Sequence, residues 1–180
     1  MSRITPVSYE DSPEASRPAL DKIKASFGGI ANIFGTLGNS AAALNGYLNF
    51  SQALSDGLIN AELREQIALT VAGVNSCDYC ASAHTTLGKM AGLSDDDIKQ
   101  SLIAQANDAK TAAVLAFAKT LTENRGNVSD DDIHSLKEHG YCQGFIVEVI
   151  ANVALNIFTN YLNHAAQTDI DFPVVSTKAA

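Results

Sequence analysis

Helix-capping residues recur along the chain, and they constrain its fold more than any other feature. Asn60 and Asp108 each stand directly before a stretch whose apolar residues have helical spacing. Ser94 and Ser129 are each followed three residues later by an aspartate, which is the spacing of a capping box. No segment is typical of a β-strand, and no glycine-rich phosphate loop occurs. The sequence therefore predicts an all-α fold, a single-domain helical bundle.

One predicted helix is unusual because residues 67–74 are apolar on every face, so it is expected to be buried all round. We predict one domain over residues 1–180, with a motif core at about 60–92 and an extended tail at 168–180 that is frayed at its last five residues. The predicted helices span residues 13–27 (opened by Ser12), 30–37, 40–55 (capped by Asn39 or Ser40), 61–75, 78–91, 94 onward, 109–124, 129 onward and 141–167.

The charge balance excludes several classes of partner. Twelve Lys and Arg against twenty Asp and Glu give a net charge of −8 with no basic cluster, so neither nucleic acid nor an anionic membrane is an expected partner. The last predicted helix is interrupted by Glu148, Asn152 and Asn156, and no apolar run reaches the roughly 18 residues of a membrane span. The first residues lack the apolar core of a signal peptide, which indicates a cytoplasmic protein.

The three cysteines point to redox chemistry and not to a disulfide framework. Their number is odd, and cytosolic thiols are normally kept reduced. Cys77 and Cys80 form a Cys-x-x-Cys pair, whereas Cys142 is isolated and is expected to be a buried packing thiol.

Two further residues have the spacing to join this cysteine pair. On a helix, His84 lies on the same face as Cys80, four residues earlier, and Cys77 is close enough to Cys80 to form a disulfide. If the helices at 61–75 and 78–91 form an antiparallel hairpin, Glu65 lies within side-chain reach of His84. These four residues are the candidate site: two thiols, an imidazole that can accept a proton, and a carboxylate that orients the imidazole.

Such an array can run a dithiol cycle, although the residues alone leave alternatives open. A thiolate that attacks an O–O bond becomes a sulfenic acid, which a neighbouring thiol converts to a disulfide. The helix N-terminus favours the thiolate at Cys77, whereas the His84 spacing favours Cys80. The same residues could hold zinc, with Glu65 or Cys142 as the fourth ligand, or the thiols could simply pack. Glu65 could also be an ordinary first-turn carboxylate.

With these residues in hand, the sequence resembles the alkylhydroperoxidase D-like branch of the carboxymuconolactone decarboxylase family. Two flanking stretches, residues 30–34 and 160–173, also resemble peroxidase-related members, so the likeness covers roughly residues 28–173. The matching pattern consists of four residues separated by eleven, two and three others: Glu65, Cys77, Cys80 and His84.

The resemblance implies a thiol-dependent hydroperoxide reductase with no metal or organic cofactor, assembled as a trimer or hexamer. Cys80 would be the attacking thiol and Cys77 the resolving one. Glu65 and His84 would form the proton relay. The implied electron donor is a dithiol reductant, either dihydrolipoyl or thioredoxin-like.

One position departs from the family pattern. Its best-understood peroxidases carry a histidine just before the second cysteine, where this chain has Tyr79, a poor base at neutral pH. The departure leaves three outcomes open: a shorter relay, a weaker peroxidase activity or a different substrate. Two other functions are alternatives: a carboxymuconolactone decarboxylase-like enzyme, which the thiol pair disfavours, and a non-enzymatic redox-sensing or zinc-holding helical oligomer. The long apolar last helix independently favours a homo-oligomer over a monomer.

Overall fold

The computed structural model describes residues 2–179, and in that part of the chain all regular structure is helical. The all-α prediction is confirmed. Met1 and Ala180, the end residues of the predicted domain, lie outside the described residues. The helices are α1 Arg17–Phe27, α2 Asn32–Gly38, α3 Ala41–Ser55, α4 Ala61–Asn75, α5 Asp78–Ala91, α6 Asp95–Leu102, α7 Ala109–Glu123, α8 Asp130–Glu138 and α9 Gln143–Ala166, with short 3₁₀ turns at Glu14–Ser16 and Thr177–Ala179.

The predicted caps form. The side chains of Ser40, Asn60 and Asp108 each accept a hydrogen bond from the backbone three residues later. Ser94 and Ser129 each make the complete capping box with the aspartate three positions on. Because these bonds are local, they set the starts of five helices independently of the tertiary packing.

The first helix begins later than predicted. The expectation was a helix from residue 13 opened by Ser12, but the Ser12 hydroxyl donates instead to the Tyr9 carbonyl. The α-helix starts at Arg17, after the 3₁₀ turn. Pro18 explains the shift, because a proline has no N–H and is accommodated only in the first turn of an α-helix.

Helix α4 lies at the centre of the molecule and packs against α5, α6, α7 and α9. The prediction of burial on every face is confirmed for the six residues from Ile67 to Ala72, which are all buried, whereas Gly73 and Val74 are half-buried. A side chain at Gly73 would collide with the Leu102 carbonyl oxygen, so glycine permits the close approach of α6. At the end of α4, Ser76 adopts a left-handed conformation (φ 56°), which turns the chain directly into α5.

Helix α9 differs from its sequence expectation in one respect. Among the described residues it is the one helix long and apolar enough, by length and composition, to cross a bilayer. The reason is that Glu148 is the single Asp, Glu, Lys or Arg along the helix, and its asparagines lower the mean hydropathy less than expected. Only 39% of its most apolar window is buried, where α9 packs against α3, α4, α5 and α7. An exposed stripe of α9 remains, formed by Val147, Ile150, Phe158 and Tyr161.

Candidate active site

The two cysteines of the Cys-x-x-Cys pair lie in contact at the start of α5. Both are free thiols and almost fully buried, with 1% and 2% of their surfaces exposed. Cys77 is the N-cap residue of the helix, and its Sγ accepts a hydrogen bond from the Cys80 backbone N–H at 3.4 Å. The sulfurs of Cys77 and Cys80 are 2.7 Å apart. The adjacency predicted from the i, i+3 spacing is therefore present.

His84 and Glu65 meet across the α4–α5 hairpin. His84 Nδ1 lies 2.7 Å from Glu65 Oε2, and each side chain is about one-fifth exposed. Burial by itself would lower the pKa of His84, but the charge and hydrogen bond of Glu65, with a smaller effect of Cys77, raise it above its usual value. His84 consequently favours its protonated form. Glu65 is therefore the partner of this imidazole and not merely a first-turn carboxylate.

His84 acts on a different sulfur from the one its spacing indicated. Its charge helps to lower the pKa of Cys77, and within the described residues it makes no hydrogen bond to Cys80. Hydrogen bonding from Cys80 is the main cause that lowers the Cys77 pKa, and donation to Cys77 correspondingly raises the pKa of Cys80. These effects favour ionisation of Cys77 over ionisation of Cys80.

A cavity of about 740 Å³ opens beside the histidine and the carboxylate. His84 and Glu65 form part of its wall, and most of the rest is apolar or aromatic, including Phe34, Tyr47 and Phe172. Burial and the charges of Glu65 and Cys80 raise the pKa of Tyr47 to about 12, so Tyr47 remains a protonated O–H group. A cavity of this size accommodates an organic molecule.

The arrangement does not favour the zinc alternative. Among the described residues, no three His, Cys, Asp or Glu side chains are grouped to hold one metal ion. His84 uses one ring nitrogen on Glu65, and the two sulfurs face each other. Cys142, the other possible ligand, is exposed at the N-cap of α9, so the expectation that it is a buried packing thiol is wrong. Its sulfur accepts from the Phe145 N–H, a local bond that holds it at the helix end.

Comparison with known proteins identifies the fold and a family to which part of the chain is similar. Residues 41–123 match the model of the carboxymuconolactone decarboxylase family. This match spans a little under half of the chain, and it includes Glu65, Cys77, Cys80 and His84. The predicted resemblance to the family's alkylhydroperoxidase D-like branch is confirmed by an uncharacterised peroxidase-related protein from Ralstonia eutropha JMP134 that has an alkylhydroperoxidase AhpD core. That structure superposes with a TM-score of 0.85 at 21% identity, over 94% of this chain and 92% of the other. Among curated proteins, none matches this chain.

Two further solved structures share the alkylhydroperoxidase D-like fold. A peroxidase-related protein from Silicibacter sp. TM1040 has a TM-score of 0.79 at 19% identity, with 92% of this chain and 91% of that one covered. The debrominase Bmp8 has the same TM-score and identity, over 98% of this chain and 94% of its own. A cysteine-to-alanine variant of Bmp8 has been solved in complex with 2,3,4-tribromopyrrole.

Tyr79, the departure from the family pattern, is bound to the C-terminal tail. Its hydroxyl donates to Asp171 Oδ1 at 2.8 Å and accepts from the Ile33 N–H at 3.1 Å. Its ring makes an edge-on contact with Phe172. Burial, and then the bond to Asp171, raises the pKa of Tyr79 well above its usual value. Tyr79 therefore remains protonated and takes no part in a proton relay; it positions the tail segment that closes one side of the cavity.

The tail is also bound near its end. Thr177 donates its backbone N–H and its hydroxyl to Asp78 Oδ1, and the Val175 N–H donates to Ser82. Apart from the final 3₁₀ turn the tail has no helix. Of the residues 176–180 expected to be frayed, Thr177 is bound to α5, whereas Ala180 lies outside the described residues.

We expect Tyr79→Phe to release this tail, because the change removes an acceptor from the Ile33 N–H and a donor from Asp171. The free energy of unfolding should fall by about 1–3 kcal/mol, the usual cost of unpairing a buried polar group. Urea unfolding measures the stability, and limited proteolysis measures access to the tail. Tyr141→Phe is a matched control, because that ring stacks on Phe145 and its hydroxyl makes no hydrogen bond within the described residues. Equal proteolysis of both variants would contradict the positioning role.

Sequence reasoning missed two residues at the thiols. Asn163 Nδ2 donates to Cys80 Sγ at 3.3 Å, and Asn160 lies beside the same sulfur and favours its ionised form. Both belong to the stretch 160–173 that carried part of the resemblance. Their burial on an apolar helix was the available signal, because a buried amide usually has a specific partner.

Proposed function

We propose that this protein is a thiol-dependent peroxidase that reduces hydroperoxides through a Cys77–Cys80 dithiol/disulfide cycle. One observation carries the proposal: a buried pair of thiols in contact, beside a Glu65–His84 pair whose histidine charge lowers the pKa of Cys77. Members of the family are enzymes, and the peroxidase activity is our more specific inference.

The cycle balances with the groups at the site. A sulfur electron pair of ionised Cys80 attacks the outer oxygen of the hydroperoxide, the O–O bond breaks, and an alkoxide leaves. Protonated His84, on the cavity wall, supplies the proton that converts this alkoxide into an alcohol. His84, now neutral, takes the proton of Cys77. The Cys77 thiolate attacks the Cys80 sulfenic acid, forms the S–S bond and releases hydroxide, which receives that proton from His84 and leaves as water. Two electrons have passed from the thiols to the peroxide.

Resetting the cycle requires two electrons from outside. A dithiol reductant, of the dihydrolipoyl or thioredoxin-like class, attacks the disulfide and leaves as its own disulfide. The cycle uses no metal or organic cofactor. Stoichiometric zinc in the purified protein that is lost in Cys77→Ser would contradict this assignment and favour the zinc-holding alternative.

The exposed α9 stripe (Val147, Ile150, Phe158 and Tyr161) supports a homo-oligomer, a trimer or hexamer as the resemblance implies. Contiguous apolar surface of this kind favours burial against a second copy. We propose a cytoplasmic location, consistent with the reducing environment that free thiols require.

A second candidate function is reductive dehalogenation. The largely apolar cavity beside His84 and Glu65 and the shared fold with the debrominase Bmp8 favour it. This reaction also transfers two electrons from the thiols to the substrate. An aryl bromide and the two thiols would give the dehalogenated ring, bromide, a proton and the Cys77–Cys80 disulfide.

The test is a thiol count on the reduced protein before and after one equivalent of an organic hydroperoxide, with intact mass recorded alongside. We expect the loss of two thiols and a mass decrease of about two protons, mapped to Cys77 and Cys80. The measurement is cleanest in Cys142→Ser, where only the pair remains. A parallel sample with 2,3,4-tribromopyrrole tests the second candidate by bromide release. Unchanged thiols with hydroperoxide would overturn the peroxidase proposal.

A further inference from the structure

Helix α9 carries a row of buried asparagines on the face that it turns toward the site: Asn152, Asn156, Asn160 and Asn163. The first two satisfy their amide N–H groups within the helix, on the carbonyls one turn earlier. Asn160 and Asn163 do not follow this pattern. Because burying an amide without a partner costs free energy, their different arrangement needs a separate explanation.

Asn163 and Asn160 both present amide nitrogens at Cys80. Asn163 Nδ2 donates to the sulfur at 3.3 Å. Asn160 Oδ1 accepts a hydrogen bond from Asn75 Nδ2 at 3.0 Å. This bond fixes the orientation of the Asn160 amide, so its NH₂ group lies on the side away from Asn75. That nitrogen is fully buried and makes no hydrogen bond of standard geometry among the described residues, although the Asn160 amide is near enough to Cys80 to lower the pKa of its thiol. A buried donor without an acceptor lies next to the sulfur that the proposed cycle charges and then oxidises.

We propose that the amides of Asn163 and Asn160 form a cradle for the anionic forms of Cys80: its thiolate, and the oxygen of the sulfenate formed on it. The inference rests on the proposed function for the sulfenate and on geometry alone for the thiolate. Asn163 holds the sulfur, and the unpartnered Asn160 N–H receives the new oxygen. Both are positioning residues, since they hold the reacting group without exchanging protons or electrons.

The cradle explains how charge moves between the two sulfurs. The hydrogen bond to Cys77 and burial raise the pKa of Cys80, and the two amides oppose this effect. The Cys80 backbone N–H and the charge of His84 favour the ionised form of Cys77. When one of the two thiols is ionised, the remaining proton lies between two sulfurs that are 2.7 Å apart. When it moves to Cys77, the charge on Cys80 is held by Asn163 and Asn160, and Cys80 becomes the nucleophile.

The experiment uses Cys77→Ser, Cys142→Ser protein, in which Cys80 is the only thiol. Its ionisation is followed by ultraviolet thiolate absorbance against pH. Its oxidation by cumene hydroperoxide is followed by dimedone trapping of the sulfenic acid. We expect Asn163→Leu to move the ionisation midpoint to higher pH and to slow trapping at neutral pH by about 10- to 100-fold, as for loss of one hydrogen bond to a charged group. Asn163→Asp, of the same size but without the donor, should shift the midpoint in the same direction.

Thr159→Val is the matched control, because it removes a buried polar group from the same helix whose hydroxyl donates to the Asn156 carbonyl. Its midpoint and rate should stay within about twofold of the parent. Circular dichroism establishes which variants are folded. Unchanged midpoints in folded Asn163→Leu or Asn163→Asp would overturn the cradle. A shifted midpoint in a protein that does not react with cumene hydroperoxide would support the thiolate cradle and overturn the peroxidase proposal.

Discussion

Cys80→Ser is expected to abolish hydroperoxide turnover, since serine in this position offers no thiolate to attack the O–O bond. Cys77→Ser should behave differently, because Cys80 can still be oxidised once but cannot be resolved to a disulfide. We expect one oxidation equivalent and a trappable sulfenic acid. Stopped-flow turnover with a dithiol donor, together with intact mass after one equivalent of hydroperoxide, measures both outcomes.

Cys142→Ser is the control for this pair, because that thiol is exposed at the start of α9 and lies apart from the Cys77–Cys80 contact. Its turnover should remain within about twofold of the unmodified protein. The reverse pattern, with a trapped sulfenic acid in Cys80→Ser and none in Cys77→Ser, would assign the attack to Cys77. The lowered pKa of Cys77 makes that the principal competing assignment.

Loss of either relay residue should have the next largest effect. Glu65→Gln and His84→Gln are each expected to slow hydroperoxide turnover by about 10²- to 10⁴-fold at neutral pH, the usual range for general acid–base groups. His84 holds the proton that the leaving alkoxide requires, and Glu65 keeps His84 protonated through the 2.7 Å contact. Steady-state rates with an organic hydroperoxide at saturating donor measure the effect.

The pH profile tests the same relay with a defined sign. Protonated His84 is the active form, so the rate should fall as the pH rises through its pKa. Glu65 raises that pKa, and burial opposes it. Without the carboxylate charge, only the lowering effect of burial remains important. The alkaline fall in Glu65→Gln should therefore occur at lower pH than in the unmodified protein.

Glu62→Gln is a matched control, because Glu62 lies three residues before Glu65 on the same helix and is exposed to solvent. Its rate and its pH profile should be unchanged. If Glu65→Gln and His84→Gln retained full rates across neutral pH, the relay assignment would be wrong, and the Glu65–His84 pair would be a structural contact only.

Much of the fold could be predicted because its determinants are local. Ser40, Asn60 and Asp108 cap their helices with hydrogen bonds to the backbone three residues later. Such local bonds do not depend on how the helices pack against one another. The contact between Cys77 and Cys80 follows from the spacing of one helical turn. The pairing of Glu65 with His84 needed only a sharp turn between two successive helices, which Ser76 provides.

Other features depend on residues far apart in the chain. Tyr79 contacts Asp171, 92 positions later, so its role could not be derived from the Cys-x-x-Cys motif alone. Cys80 meets Asn163 across 83 positions. No local spacing encodes such contacts, since they arise only when α9 and the tail pack against α5.

The sequence by itself thus determined the helices, the thiol pair and its histidine–carboxylate partner, because hydrogen bonds and side-chain spacing within one or two helices decide them. The tertiary structure alone decided that Tyr79 holds the tail and that the charge of His84 lowers the pKa of Cys77. It also decided that two amides of α9 face Cys80 and that an organic-sized cavity lies beside the pair. These features depend on which faces of distant helices come together, and the burial of apolar surface over the whole chain determines that.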